Sequence, residues 1–172
     1  MAKLIYKDGC EGLSSLSYID GIEIELRKGQ KALIYPKYAE REIVKEEQIG
    51  KWSARVLTQL GALKVDDTND QTEALLKIGS PAAEWVSQFC SDNHGLFYLP
   101  SLWAAMEIQN QRNDIDAIAE TIEGADLLKD FTSCVVSCCR HSQYNCWCAY
   151  GHELLAGGSA LCSHLVVPTI LH

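Results

Sequence analysis

Apolar and polar positions alternate along one early stretch of the chain. In Gly21-Ile22-Glu23-Ile24-Glu25-Leu26 every second residue is apolar, so Ile22, Ile24 and Leu26 share one face of a strand. Arg27-Lys28-Gly29-Gln30 then turns the chain toward Ala32-Leu33-Ile34-Tyr35, which predicts a hairpin whose second strand stops at Pro36. The charged run from Tyr38 to Gln48 reads as a solvated helix or loop that covers a sheet edge.

Helical spacing takes over in the middle third. Asp70-Gln71-Thr72-Glu73 has the form of a capping box, Ser80-Pro81 places a cap before a first-turn proline, and Pro100-Ser101 repeats that logic. After Ser80, the residues Ala82, Trp85, Val86 and Phe89 form an apolar stripe; after Ser101, Leu102, Ala105, Met106 and Gln109 continue one face. Asn113 or Asp114 caps a third short helix bearing Ile115, Ile118 and Ile122, with Gly124 just past its end. From Phe131 onward acidic residues nearly vanish. There Cys146 to Gly151 and Leu165 to Pro168 have strand character, and Gly157-Gly158 marks a turn. Strands, then helices, then strands predict an α+β domain, with short helices packed on an antiparallel sheet.

The length of 172 residues suits a single domain over 1-172, with N-terminal strands and the hairpin in 1-60. A net charge of −8 disfavours nucleic acid and anionic membrane as partners. Nor does any segment reach the roughly 18–20 apolar residues of a membrane span. The start of the chain lacks the pattern of a signal peptide, so synthesis in the cytoplasm is expected.

Cysteine placement changes the picture. Of eight cysteines, Cys10 and Cys90 stand alone, while Cys134, Cys138, Cys139, Cys146, Cys148 and Cys162 crowd together. Cys146 and Cys148, two apart on a strand, point to one face near Cys138, Cys139, His141 and His152, a set with the donor types of a zinc site. Paired C-x2-C hooks are absent, and small reduced thiols that happen to cluster explain the same letters. Asp66, Asp67, Asn69 and Asp70 are better read as a loop and helix cap than as a calcium loop. A cysteine nucleophile would have His141, His152 or His164 as base, but no catalytic signature surrounds any thiol. A phosphate-binding glycine loop is missing too, and Trp85, Trp103 and Trp147 read as core. The expectation is a protein that is not an enzyme and has no catalytic residue, metal or cofactor.

At Phe97-Tyr98-Leu99-Pro100-Ser101-Leu102 the chain resembles a family of bacterial and phage C-type-lectin-like domains. Asn69 to Leu76 and Ala82-Ala83-Glu84-Trp85 are similar to that family's helix elements, and Ile115 to Gly124 to its short helix ending in glycine. Ser142-Gln143-Tyr144-Asn145-Cys146-Trp147 resembles its approach to a core tryptophan strand, and Val166-Val167-Pro168 its closing Val-Arg-Pro strand. The likeness covers roughly residues 60 to 171. It departs at Val135 to His141, where the family has Tyr-Trp-Ser-Ser, and at Val167, where it has Arg. Cys148 and Ala149 after Trp147 do not supply the ligands of a calcium-bound sugar.

Some members of that family are variable proteins of diversity-generating retroelements, in which adenine-directed mutagenesis rewrites Asn-type codons into many residue types. Between Phe131 and Cys162 only Gln143, Trp147 and Glu153 lie outside the reachable set. A non-variable paralogue accounts for the same residues. The resemblance implies a C-type-lectin-like fold, a candidate variable ligand-binding region at 131-165, and recognition of a protein or cell-surface ligand, as in phage receptor binding from a virion. It also implies that Lys3 to Tyr6 pairs with a strand around Leu165 to Ile170, and that Trp147 and Ala149 face the core. Arg140, His141, Tyr144, Cys148, Tyr150 and His152 then form the exposed ligand face, with Arg140 and Tyr150 dominant. The alternatives are a small zinc-binding or thiol-redox protein, and an intracellular structural subunit that buries the same face in a homo-oligomer.

Overall fold

The computed structural model describes residues 1–52, 68–131, 134–142, 145–150, 153–157 and 162–172. It is a mixed α+β structure with two main sheets and a few short helices. The first sheet holds β1 (Lys3–Tyr6), β2 (Ile19–Glu25), β3 (Lys31–Ile34) and β11 (Thr169–Leu171), in the order β1-β2-β3-β11 and antiparallel throughout. The expected hairpin is β2–β3. Its turn places Lys28 at φ 64° and Gly29 at φ 75°, and Leu26 N–H donates to the Gln30 carbonyl at 2.7 Å. Ile22, Ile24 and Leu26 all lie inward, as the alternation requires.

Lys3–Tyr6 does not pair with the closing segment. It takes β2 as its partner, on the far side of the sheet from β11. The closing segment itself is split at Val167-Pro168. Residues Ser163–Val166 form β10 in the second sheet, and Thr169–Leu171 pair with β3 in the first. Pro168 has no N–H to give a ladder, and its carbonyl instead accepts from Tyr35 N–H at 3.1 Å, which holds the crossing in place.

The second sheet runs β4-β10-β7-β8-β9, with β4 Ala39–Glu42, β7 Val135–Arg140, β8 Cys146–Tyr150 and β9 Glu153–Gly157. All its neighbours are antiparallel except β10 and β7, which are parallel. The charged run after Tyr38 is therefore not a cover for a sheet edge. Its first part, β4, is the edge, and exposed Glu40 and Arg41 keep that edge from recruiting another strand. Ile43 and Val44 then enter the core.

The helices are α1 (Thr68–Lys77), α2 (Pro81–Val86), α3 (Leu102–Asn110) and α4 (Arg112–Ala119). Both predicted serine caps are present: Ser80 Oγ accepts from Ala83 N–H at 3.3 Å and Ser101 Oγ from Ala104 N–H at 3.2 Å. Ser80 also donates to the Ile43 carbonyl, tying α2 to the segment after β4. The capping box at Asp70 is not used, since α1 starts earlier and Thr72 Oγ1 accepts from Leu99 N–H at 3.2 Å. α4 starts at Arg112 with no side-chain cap, ahead of Asn113 and Asp114, and Ile122 packs in the core beyond its end. Ile22, Ile24, Ala105, Ile108 and Ile115 belong to the core between the first sheet and α3–α4. Leu75, Val86, Leu102, Val136 and the thiols of β7 and β8 belong to the core on the other side.

Gly21 in β2 has no room for a side chain: a Cβ there would lie 2.7 Å from Leu33 Cγ and 2.8 Å from the Ile34 carbonyl oxygen of β3. Gly21→Ala is expected to destabilise the protein by about 1–3 kcal/mol through overpacking. An unchanged urea-denaturation midpoint would contradict the register of this hairpin.

Candidate functional site

β8 lies between β7 and β9, with Val136 opposite Cys148 on one side and Leu155 opposite Cys148 on the other. Side chains alternate along it as expected, with Cys146, Cys148 and Tyr150 on one face and Trp147 and Ala149 on the other. Both faces are covered over most of the strand. Ala149 joins Val135 and Leu165 in the first core, and Cys146 and Cys148, fully buried, join Val136 and Leu102 in the second. Cys148 therefore faces the interior and not a ligand. Trp147 is half-buried, its ring meeting the His141 ring edge-on at 4.5 Å, and Trp52 is the tryptophan that is fully enclosed.

Arg140, at the end of β7, is spoken for. Its guanidinium donates from Nη1 to the Trp52 carbonyl at 2.6 Å and from Nε to the Ser142 carbonyl at 2.9 Å, and it lies 5.8 Å from the centre of the Trp52 ring. That geometry makes it a clamp between the β7–β8 turn and the segment at Trp52, which corrects its expected role as a free contact. His141 is half-buried in the same turn, where Ser142 N–H and its own N–H both reach the Asn145 carbonyl. Tyr150 is 57% exposed, as expected of a contact residue. Tyr144 and His152 lie outside the described residues. Of the predicted ligand face, Tyr150 is on the surface, His141 and Arg140 are half-buried, the latter bonded to two carbonyls, and Cys148 is buried.

The structure gathers a group that sequence spacing did not single out. Cys134, Cys148 and His164 bring their ligand atoms within 4.8 Å of one another. The register explains how: Val135 is paired with Leu165 of β10 and with Ala149 of β8, so the residue preceding each of these three lies on the opposite face of adjoining strands. Cys146 Sγ is 3.8 Å from Cys148 Sγ. His141, which the sequence placed with these thiols, stands instead beside Trp147. The hydrogen bond with Cys148 lowers the Cys134 pKa to about 7, against the opposing effect of burial. Cys148 is pushed up, because its thiol is hydrogen-bonded with Cys134 and Cys146 in dry surroundings. All eight cysteines are thiols, none in a disulfide.

The chain matches no protein-family model, no curated protein and no solved structure. Among the described residues no helix is long and apolar enough to cross a membrane.

The clamp makes a prediction. Arg140→Ala removes a charged donor from two carbonyls and should lower the unfolding free energy by about 1–3 kcal/mol. Chemical denaturation measures it, and a midpoint equal to that of the unsubstituted protein would return Arg140 to the list of free surface residues.

Proposed function

We propose that the protein is a ligand-recognition domain of C-type-lectin-like fold, acting through the surface at the Tyr150 end of β8 and the adjoining part of the 131-165 region. The exposure of Tyr150 carries this reading. A large aromatic ring left in water at the end of a strand that is otherwise packed on both faces has no role in the core, and tyrosine is among the residue types that dominate binding energy. The scaffold supports it in a second way. The first and last strands belong to one sheet, while β7, β8 and β9 lie in another whose Val135 and Ala149 pack into the core of the first, so Tyr150 stands at the end of a strand fixed by the core. The net charge of −8 favours a protein or cell-surface target over a phosphate backbone. Diversification of 131-165, and delivery on a phage virion, complete the reading.

Two measurements test it. The genomic neighbourhood should hold a reverse transcriptase gene and a near-identical repeat of the sequence coding for residues 131-165; without them, diversification is withdrawn. Labelled protein should bind saturably to one or more members of a panel of intact bacterial cells and immobilised surface glycans and proteins. Tyr150→Ala should then weaken binding about 30-fold, the factor that a 2 kcal/mol hot spot implies, with no change in thermal midpoint. Binding that survives the substitution places the contact surface elsewhere.

A further inference from the structure

We infer that Cys134, Cys148 and His164 form a binding site for a borderline-soft divalent cation of the zinc type, joining the three strands β10, β7 and β8. The inference does not depend on ligand recognition and stands whether or not Tyr150 contacts a target.

The backbone sets up the geometry. β7 is the middle strand of the three. Cys134 immediately precedes it, Cys148 is on β8 and His164 on β10, and Leu165 N–H donates to the Cys134 carbonyl at 3.3 Å. The neighbouring residues Val135, Ala149 and Leu165 all point into the first core, which commits the thiols and the imidazole to the other face. Three donors that are 14 and 16 residues apart thus converge through strand pairing alone. Around a tetrahedral Zn2+, with bonds of about 2.0–2.3 Å, ligand atoms stand about 3.4–3.8 Å apart. The observed group, within 4.8 Å, reaches that spacing by side-chain shifts on the order of 1 Å. Cys146 has its sulfur 3.8 Å from that of Cys148 but is not part of the group within 4.8 Å, which is formed by Cys134, Cys148 and His164.

The imidazole is also prepared for the role. His164 is 6% exposed, and its Nδ1 lies 2.6 Å from the Cys162 carbonyl oxygen. A carbonyl only accepts, so Nδ1 holds the proton and donates it. In the neutral ring Nε2 then carries the lone pair, the tautomer that binds metals, oriented by a backbone carbonyl as ligating histidines usually are. Sulfur and imidazole donors without a carboxylate select zinc-like ions over magnesium or calcium. On binding, the two thiols go to thiolates and their protons pass to solvent.

The test uses the full chain, reduced and stripped with chelator, then titrated with Co2+ and afterwards Zn2+. One equivalent of Co2+ should give the intense visible bands of a tetrahedral site with thiolate-to-cobalt charge transfer in the near ultraviolet, and Zn2+ should abolish both. Cys134→Ser and His164→Gln should each weaken uptake at least tenfold, while Cys10→Ser with Cys90→Ser leaves it unchanged. Because Cys134 is half-buried, its serine variant is the milder one, and a far-ultraviolet circular dichroism spectrum confirms that it folds. The thermal midpoint of the unsubstituted protein should rise with Zn2+ concentration, and that of Cys134→Ser should not. A pale octahedral cobalt spectrum, uptake equal in the Cys134 and His164 variants, or formation of a Cys146–Cys148 disulfide on air oxidation that proceeds as fast with Zn2+ as without it, overturns the proposal.

Discussion

Strand β7 is paired along both edges and covered on both faces, and much of the molecule is arranged around satisfying it. Every residue from Val135 to Cys139 is buried. A strand so enclosed accepts side chains that are small and apolar or that find a partner close by, and Val-Val-Ser-Cys-Cys meets that condition. Ser137 donates its hydroxyl to the Trp147 carbonyl at 2.7 Å and accepts from Cys139 N–H at 3.2 Å. Where pairing with β8 becomes irregular between Val136 and Arg140, Cys138 N–H turns to the Pro100 carbonyl at 2.9 Å, just ahead of α3. Alanines 104 and 105 at the start of α3 let the helix pack this closely.

That enclosure also decides what could be read from the residues alone. The β2–β3 hairpin was legible because it shows a strong one-sided alternation, and the two serine caps because a hydroxyl before a helix has one use. β7 is not legible as a strand, since a strand covered on both faces shows no period of two. Cys148 was placed outward by a sound alternation and an unsound premise, that one face of β8 meets water. Arg140 looked like a free cation because its partners are two carbonyls, which leave no trace in side-chain identity. The convergence of Cys134, Cys148 and His164 depends on the parallel pairing of β10 with β7, a connection that no local motif announces.

Loops around this frame are held by carboxylates as well as by apolar contacts such as those of Tyr38 and Leu128. Asp20, 1% exposed at the start of β2, accepts from Ser91 Oγ at 2.7 Å and Asp92 N–H at 2.8 Å and so anchors the short hairpin of Cys90–Ser91 and Gly95–Leu96. Asp116 of α4 accepts from Leu128 N–H at 2.7 Å and Lys129 N–H at 2.9 Å, fixing the path that leads into β7. Asp126 accepts from Tyr38 N–H at 2.9 Å and holds Lys37 at 3.1 Å. Burial, and after it the charges of Asp116 and Asp126, push the enclosed Tyr38 phenol up from its ordinary value. An acidic side chain on a backbone N–H is a directional latch that adds orientation to the burial of neighbours such as Leu128.

The split of the closing segment at Pro168 bears on how the chain comes to be folded. Residues 163–166 fill the gap between β4 and β7, and residues 169–171 take the edge of the first sheet beside β3. The second sheet is complete only once 163–166 are in place and the first only once 169–171 are, and each piece has one partner strand more than a hundred residues back in the chain. Both closures are non-local pairings, the kind that forms slowly, and until they form the edges of β3 and β4 stay open. A chain cut before residue 163 would lose the strand that joins β4 to β7 and leave β3 with an open edge.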